Sequence, residues 1–482
     1  VDWSWDLLDE EEREVLSRLS VFAGGCDLAA AEAVCGPAAL DALASLVDKS
    51  LVVAAPPPGT GAEGGMRYRL LETVAEYAAE RLAETGRRAD AERAHLTYYR
   101  ELARTTDPLL RGQAQRTAID RLQLEYENLR TAFRHAVAVG DEQEGLSLVL
   151  SLIWFWQMRD QRIEARTWCQ EVMALGPDPF TEPVRHARPV WQRCTDVPPP
   201  FTGEFLAEAR RGVHLAHLAC MDTEMEAWQT PEAQAKLRVV TQVYEPGMPQ
   251  TCRAPGMLWF YAEMLTGGVE RLNSVVDATV RTCRDTPGYD WELAGALQTR
   301  ANLLANRTVW AGDAVRDAEE ALEIYRRLGD EWGIAEALSA RGEAHERKGA
   351  YEQAATDYSA AVEHAERLGA RAQTAVLNAR LGSVLMEAGD MERGERLLRD
   401  VIAGQDGSHN EAMPAARLFL ACWLGLTDRI AEARDQLRLL REEFRIAHFV
   451  VFDAMILGQE AWLDALDRRG EEALAAVRRA LR

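Results

Sequence analysis

Residues 335–369, AEALSARGEAHERKGAYEQAATDYSAAVEHAERLG, read as one complete unit of two helices and a tight turn. Gly342 lies in the first helix, Gly349 and Tyr351 flank the turn, and Ala354, Tyr358 and Ala361 share one face of the second. Small residues stand where two helices must approach closely, and aromatic ones fill the gaps between neighbouring pairs. Shifted by forty residues, the pattern returns: Gly342 becomes Gly382, Gly349 becomes Gly389, Ala354 becomes Gly394, Tyr358 becomes Leu398 and Ala361 becomes Val401. Backward, Ala354 and Ala361 map onto Ala314 and Ala321, and Arg367-Leu368-Gly369 onto Arg327-Leu328-Gly329. Glycine just past a helix takes the left-handed conformation that stops it. Ala433, Leu437 and Leu440, then Ala473, Val477 and Ala480, continue the series. About five such pairs therefore stack from Asp290 to the C-terminus, at steps of 40, 40, 39 and 40 residues. No pair can bury its apolar face alone, so the stack shares a cooperative core.

This spacing resembles the tetratricopeptide (TPR) repeat. In TPR arrays, set positions of each first helix line the concave face. The resemblance places there Thr299, Leu303, Asn306 and Arg307, then Ser339, Glu343, Glu346 and Arg347, then Ala379, Ser383 and Glu387. Mixed charge among small side chains suits a peptide or protein segment better than a flat apolar ligand. The lysine and asparagine clamp of chaperone-binding TPRs is not reproduced.

The first 85 residues differ in character. Asp9 with Glu12 forms a helix-start signature, after which Val15, Leu16, Leu19 and Phe22 fall on one face. Gly24-Gly25 breaks that helix, and Asp27 caps a second carrying Leu28, Ala31 and Val34. Leu40, Leu43, Leu46 and Val47 mark a third. Leu51-Val52-Val53 and residues 66–70 read as two strands around a Pro/Gly-rich turn, and a helix from Glu72 to Thr85 closes the unit. Three helices and a two-stranded wing make a winged helix-turn-helix. Its 16 acidic and 6 basic side chains give −10, and the candidate recognition helix, Ala39–Ser50, offers only Lys49 against Asp41 and Asp48. A phosphate-binding module needs a basic face, so direct nucleic-acid contact is not expected.

Ser4-Trp5-Asp6-Leu7-Leu8, residues 18–25 (RLSVFAGG), residues 46–52 (LVDKSLV) and residues 67–74 (RYRLLETV) resemble the winged helix that follows the ATPase of STAND-type (NB-ARC) regulators, especially the AfsR-like members of the antibiotic regulatory (SARP) group. The resemblance implies an order of DNA-binding head, activation domain, NB-ARC ATPase, winged helix and TPR array. It also implies Ser/Thr phosphorylation, with no acceptor singled out. No G-x-x-x-x-G-K-[ST] loop occurs, so ATP or ADP is expected only in a domain upstream, and no cofactor in this sequence. The start at Val1 fits a piece of a longer protein. In relatives a Met-His-Asp triplet lets His read bound ADP; here that triplet falls on Leu70-Leu71-Glu72, and Leu71 cannot donate to a phosphate. A mechanical role, as a lid on the ATPase, follows.

Between these ends, residues 86–143 read as linker helices, the first stopped at Asp107-Pro108 and the later one carrying Glu127-Asn128-Leu129-Arg130, a frequent signature where such arrays begin. Residues 144–289 read as a degenerate TPR-like region. It opens with a helix pair over 144–175 containing Trp154-Phe155-Trp156, with Ala165, Cys169 and Val172 at small-residue positions. Prolines between Pro177 and Pro200 then force extended chain, and helical segments resume near Glu204–Met221, Pro231–Tyr244 and Met257–Cys283. His214, His217 and Cys220 are spaced i, i+3, i+6; the last swings round the helix, so packing rather than metal is expected.

Net charge is −22 with 47% hydrophobic residues, enough for a sizeable core and repulsive to phosphate backbones. Eight scattered cysteines without a C-x-x-C pair read as reduced cytosolic thiols. No targeting or membrane-spanning segment is apparent, and no nucleophile elbow, zinc-protease or paired-acid motif points to an enzyme. The expected fold is therefore mainly α: a small winged-helix domain (1–85), helical linker (86–143), degenerate region (144–289) and α-solenoid of TPR-like pairs (290–482), with a period of about 40 residues. The expected function is the non-catalytic sensor arm of a cytosolic transcriptional regulator of secondary metabolism. Its partner would be a protein, a peptide or its own ATPase or DNA-binding domains. A homo-oligomer of the full-length protein is open, and a stand-alone TPR scaffold is the rival reading.

Overall fold

A computed structural model describes residues 2–57, 65–220, 230–266, 269–305, 311–404, 412–444 and 450–480. The winged helix comprises α1 (Asp2–Asp6), α2 (Glu10–Leu19), α3 (Leu28–Cys35), α4 (Ala39–Asp48), strands β1 (Val52–Ala55) and β2 (Arg67–Leu70), and α5 (Glu72–Glu84). The capping box forms as the spacing predicts: Asp9 Oδ1 accepts from Glu12 N at 2.8 Å and Glu12 Oε2 from Asp9 N at 2.9 Å. Glu12 Oε1 then accepts from Ser45 Oγ and Lys49 Nζ, both at 2.5 Å, pinning α4 to α2. Burial opposes that carboxylate's charge, but the bonds from Lys49, Ser45 and the Asp9 amide outweigh it and hold the pKa at about 2. Asp27 caps α3 through the Ala30 amide at 2.8 Å. Helices α3 and α4 bend by 113° about Gly36-Pro37-Ala38, a helix-turn-helix geometry. The strands pair antiparallel, Val52 opposite Leu70. Pairing starts one residue later than the composition predicts, because Ser50 takes a left-handed φ of 58° and the Leu51 amide turns back to the Leu46 carbonyl. The predicted turn between the strands lies largely outside the described residues.

Three linker helices follow: α6 (Arg88–Thr106), α7 (Gln115–Leu124) and α8 (Tyr126–Ala138). Pro108 at the head of a 3₁₀ turn, Asp107–Leu110, ends α6 as predicted. Helices α9 (Glu142–Arg159) and α10 (Arg162–Met173) form the first pair. Beyond the proline-rich stretch come α11 (Gly203–Ala219), α12 (Pro231–Val243), α13 (Trp259–Thr266) and α14 (Val269–Asp285). The helical segment predicted over Met257–Cys283 is thus two helices after a 3₁₀ turn, Gly256–Leu258. At Gly256 a Cβ would stand 2.0 Å from the Gln250 carbonyl oxygen, so the backbone folds onto itself there instead of winding on.

The array consists of α15 (Asp290–Ala305) with α16 (Ala311–Leu328), α17 (Glu331–Arg347) with α18 (Tyr351–Leu368), α19 (Arg371–Glu387) with α20 (Met391–Ala403), α21 (Ala412–Leu426) with α22 (Ile430–Phe444), and α23 (Val450–Leu466) with α24 (Gly470–Ala480). These five pairs occur at the predicted period. The small-against-large rule is visible at two close crossings: a Cβ on Gly342 would meet the Tyr358 ring at 3.1 Å, and one on Gly382 would meet Leu398 and the Gly394 carbonyl at 3.0 Å. Tyr358 and Leu398 are fully buried, and burial of a side chain of Leu size contributes about 1.5–3 kcal/mol. Within the first two pairs a bidentate ion pair joins the partners, Arg300 to Asp317 (2.6 and 2.8 Å) and Arg341 to Asp357 (3.0 and 2.6 Å).

The array does not run freely away from the linker. Its recurring Arg-Leu-Gly turns, at Gly329 (φ 69°) and Gly369 (φ 71°), rest on α7 and α9. Arg116 donates to the Arg367 carbonyl at 3.3 Å and Arg159 to the Gly369 carbonyl at 2.9 Å. Asp330 is the node: its buried carboxylate accepts from the Gly112 amide (3.1 Å), Gln115 Nε2 (2.7 Å), Trp291 Nε1 (2.8 Å) and the Gly333 amide (2.7 Å). One apolar core consequently runs from Leu8 to Leu385, and a second, from Ala379 to Leu463, holds the distal pairs. Among the described residues no single helix is long and apolar enough to cross a membrane.

Candidate functional site

Buried polar groups meet contacts between distant segments at the junction of the winged helix with the linker, and at the hollow enclosed by the first repeats. At the junction Asn128, fully buried, uses all four of its hydrogen-bonding positions. Its Oδ1 accepts from the Ala23 amide (2.8 Å) and from His95 Nε2 (3.2 Å), and its Nδ2 donates to the Gly25 carbonyl (2.9 Å) and Glu125 Oε2 (2.9 Å). Burial lowers the His95 pKa to about 4 against the pull of Asn128, so the ring is neutral and Nε2–H is the donor. Beside it Arg67 of β2 meets Glu125 at 2.6 and 3.2 Å while also donating to the Gly24 and Gly25 carbonyls. Tyr99 hydroxyl completes the cluster on Glu125 at 3.2 Å. The motif at residues 127–130 thus has a structural meaning: its asparagine clamps the glycine break after α2. Nothing local in the sequence singles out Arg67 and Glu125, which lie 58 residues apart.

The same pairs bear on nucleic acid. Lys49, at the cap just past α4, which ends at Asp48 rather than the expected Ser50, is engaged with Glu12, and Arg67 of the wing with Glu125. Arg69 is exposed. Leu71, standing where relatives carry the nucleotide-reading His, is 47% exposed at the start of α5. With Leu70 and Glu72 it borders a hollow of about 350 Å³.

Of the residues expected in the groove, Thr299, Leu303, Ser339, Glu343, Glu346 and Ser383 are partly buried, and Arg347 and Glu387 are exposed. Ala379 is buried in the distal core. Asn306 and Arg307 lie outside the described residues. Glu343 faces Arg347 at 3.8 Å and Arg380 at 3.5 Å, and Glu346 accepts from the Tyr358 hydroxyl at 3.1 Å. Burial raises the Glu346 pKa, with Arg380 and the Tyr358 bond working against it. Thr299 Oγ1 donates to the Gly295 carbonyl at 2.9 Å and borders a different feature, a cavity of about 330 Å³. Its walls come from α9, α10, α11, α13, α14, α15 and α17 together with Tyr325 of α16 and the 251–258 segment. The Trp154-Phe155-Trp156 run divides there: Phe155 and Trp156 are buried, whereas Trp154 is partly exposed on the cavity wall and packs edge-on against Trp291 at 5.2 Å and Trp332 at 6.2 Å. Sequence reasoning missed this cavity because its lining is scattered over more than 180 positions.

His214 is buried against Phe180 with Asp178 at 3.6 Å. Among the described residues no group of three His, Cys, Asp or Glu side chains is placed to hold a metal ion, and all eight cysteines are free thiols.

Residues 8–83 match the winged helix-turn-helix domain family. A Mycobacterium tuberculosis protein provisionally named an HTH-type transcriptional regulator is 39% identical over 179 residues, 36% of this chain and 20% of that protein. A second, uncharacterized M. tuberculosis protein is 45% identical over 98 residues, 19% of this chain and 23% of its own length. The chain thus spans about a fifth of the length of the curated relatives it matches. Among solved structures, a STAND protein with a tetratricopeptide repeat sensor from Pyrococcus horikoshii aligns over 99% of this chain and 64% of its own, with 15% identity and a TM-score of 0.48. A Rap protein solved with the competence and sporulation factor aligns over 70% of this chain and 97% of its own, with 12% identity and the same TM-score.

Proposed function

We propose that this chain is the non-catalytic regulatory arm of a cytoplasmic transcriptional regulator of the AfsR-like STAND type, acting in secondary metabolism. In this reading the array takes up a protein or peptide, or a segment of the regulator's own upstream domains. The winged helix passes that event to an ATPase encoded upstream. The observation that carries the reading is the junction: Arg67, Glu125 and Asn128 fasten the winged helix to α6 and α8, and Asp330 fastens the linker to the array. An event on the array therefore reaches the winged helix through packed helices with two polar bolts. Coupling requires the partner to bind one arrangement of arm and ATPase more tightly than the other.

The test uses the full-length regulator and a promoter reporter. Replacing Ser339 and Ser383 by Arg adds two cations to partly buried positions of the first helices. The response to the natural signal is expected to fall at least about tenfold, which corresponds to about 1.4 kcal/mol of lost coupling. An unchanged response in a regulator truncated before Asp290 sinks the proposal.

The same reading holds that the winged helix works on protein. Lys49 and Arg67 are engaged with carboxylates, Arg69 is exposed, and the unit's charge is −10. Fluorescence anisotropy of the full chain with duplex DNA at low salt is expected to give a Kd weaker than about 100 µM, beyond ordinary non-specific binding. Tighter, salt-sensitive binding that Arg69→Ala abolishes would reassign the module to DNA.

A further inference from the structure

The hollow of the first repeats has a chemistry separate from the groove. Much of its wall is apolar, and the aromatic side chains on it include Trp154, Trp259, Tyr261, Trp291 and Trp332. Two of these indole N–H groups are satisfied elsewhere, Trp259 by the Val240 carbonyl at 3.1 Å and Trp291 by Asp330. Their rings are thereby fixed, and what they offer a guest is π-surface. Charged groups on the wall are Arg162, Glu292 and Glu336. Arg162 is met by Asp160 at 3.0 Å, and Glu292 by Arg253 at 3.4 Å. Glu336 is different: its oxygens accept from Gln373 Nε2 (2.6 Å) and Gln298 Nε2 (3.2 Å), two neutral amides. Arg380 is instead within ion-pair distance of Glu343, and among the described residues no cation forms an ion pair with Glu336.

We infer that this cavity binds a small amphipathic organic cation, its ammonium group on Glu336 and its apolar body against the tryptophan walls. A carboxylate hydrogen-bonded by amides alone, with Arg380 acting on it from beyond ion-pair distance while paired to Glu343, has less countercharge than an ion-paired acid. Burial raises the Glu336 pKa, with Gln373, Arg380 and Gln298 opposing, and a guest cation offsets that penalty. Aromatic faces attract the same charge through their quadrupoles, more strongly where water is excluded. A volume of about 330 Å³ fits a compact one- or two-ring amine and falls at the lower end of ordinary small-molecule sites. The inference does not rest on the partner-binding role of the groove: of the groove residues Thr299 borders the cavity, whereas Glu343, Ser383 and Glu387 border no part of it.

The experiment is calorimetry of the full chain with three probes of one shape: 2-(1-naphthyl)ethylamine, 2-(1-naphthyl)ethanol and 1-naphthylacetate. The amine is expected to bind at least about tenfold more tightly than the alcohol, and the acid not at all. Glu336→Gln should bring the amine down to the affinity of the alcohol and leave the alcohol unchanged. Met257→Trp, which fills the cavity, should abolish both and covers the case in which the first variant folds poorly. Glu343→Gln should change neither. Failure of the amine to bind, equal binding of amine and acid, or amine binding that survives both Glu336→Gln and Met257→Trp overturns the assignment. None of these outcomes bears on whether the array captures a protein, which the promoter reporter reads independently.

Discussion

Replacing Glu125 by Ala is expected to cost about 3–5 kcal/mol of stability at the junction. The carboxylate is buried and accepts from Arg67 twice, from Tyr99 and from Asn128. Its removal leaves the Arg67 guanidinium, whose side chain is 11% exposed, with only two backbone carbonyls. An uncompensated buried charge is what makes breaking such a pair costly, whereas removing both partners is often close to neutral. The double variant Arg67→Met, Glu125→Leu should therefore recover most of the loss. Urea unfolding of the wild type, Arg67→Met, Glu125→Leu and the double variant gives the coupling, expected above about 2 kcal/mol. Hydrogen exchange at the Ala23 amide, which Asn128 holds, should rise with the single variant and fall back in the double. A cost under about 1 kcal/mol for Glu125→Ala would mean that the junction is not held by this pair.

Asp330→Ala comes second, at about 3–4 kcal/mol. Four donors from three segments, the 112–115 stretch, Trp291 and the first turn of α17, converge on one carboxylate. Burial raises its pKa although the bonds from Gly333, Trp291, Gln115 and Gly112 favour the charge, so the ionised form depends on all of them. Asn is a poor substitute. Each oxygen now accepts two bonds, and an amide would point its NH₂ at two donors; Asp330→Asn should retain less than half of the stability lost in the Ala variant. Trp291 and Trp332 adjoin the site, so a red shift of intrinsic fluorescence at mild denaturant, before global unfolding, is the readout. Coincidence of the variant's fluorescence transition with the wild-type's would show that the linker and array do not depend on this node.

The parts legible in the sequence are those with short-range causes. Asp9 and Glu12 stand three residues apart and make their box within one turn. Gly342 and Tyr358 announce a close crossing because the turn between them is short and the spacing repeats forty residues on. Arg327-Leu328-Gly329 and Arg367-Leu368-Gly369 were readable as helix stops. Their second property, seating on α7 and α9, was not, since it depends on where a superhelix brings them after two hundred residues. The same holds for Asp330 and Gly112, 218 residues apart, and for the cavity, whose wall gathers Trp154, Trp259 and Trp332 from three regions. Ala379 illustrates the opposite error: a position rule places it in the groove, and the packing of α19 against the distal pairs buries it in their core. Asn128 was conspicuous without a role, because its partners Ala23 and Gly25 belong to a different unit.

The handover between the two apolar cores at α19 has a mechanical consequence. Proximal repeats are braced along their edge through Arg116, Arg159 and Asp330, so they are expected to move as one block; among the described residues beyond α20 no hydrogen bond to the linker occurs. Load applied at the tip is therefore expected to be taken up first between the last hairpins, like the free end of a clamped ruler. Only what survives that compliance reaches the clamp.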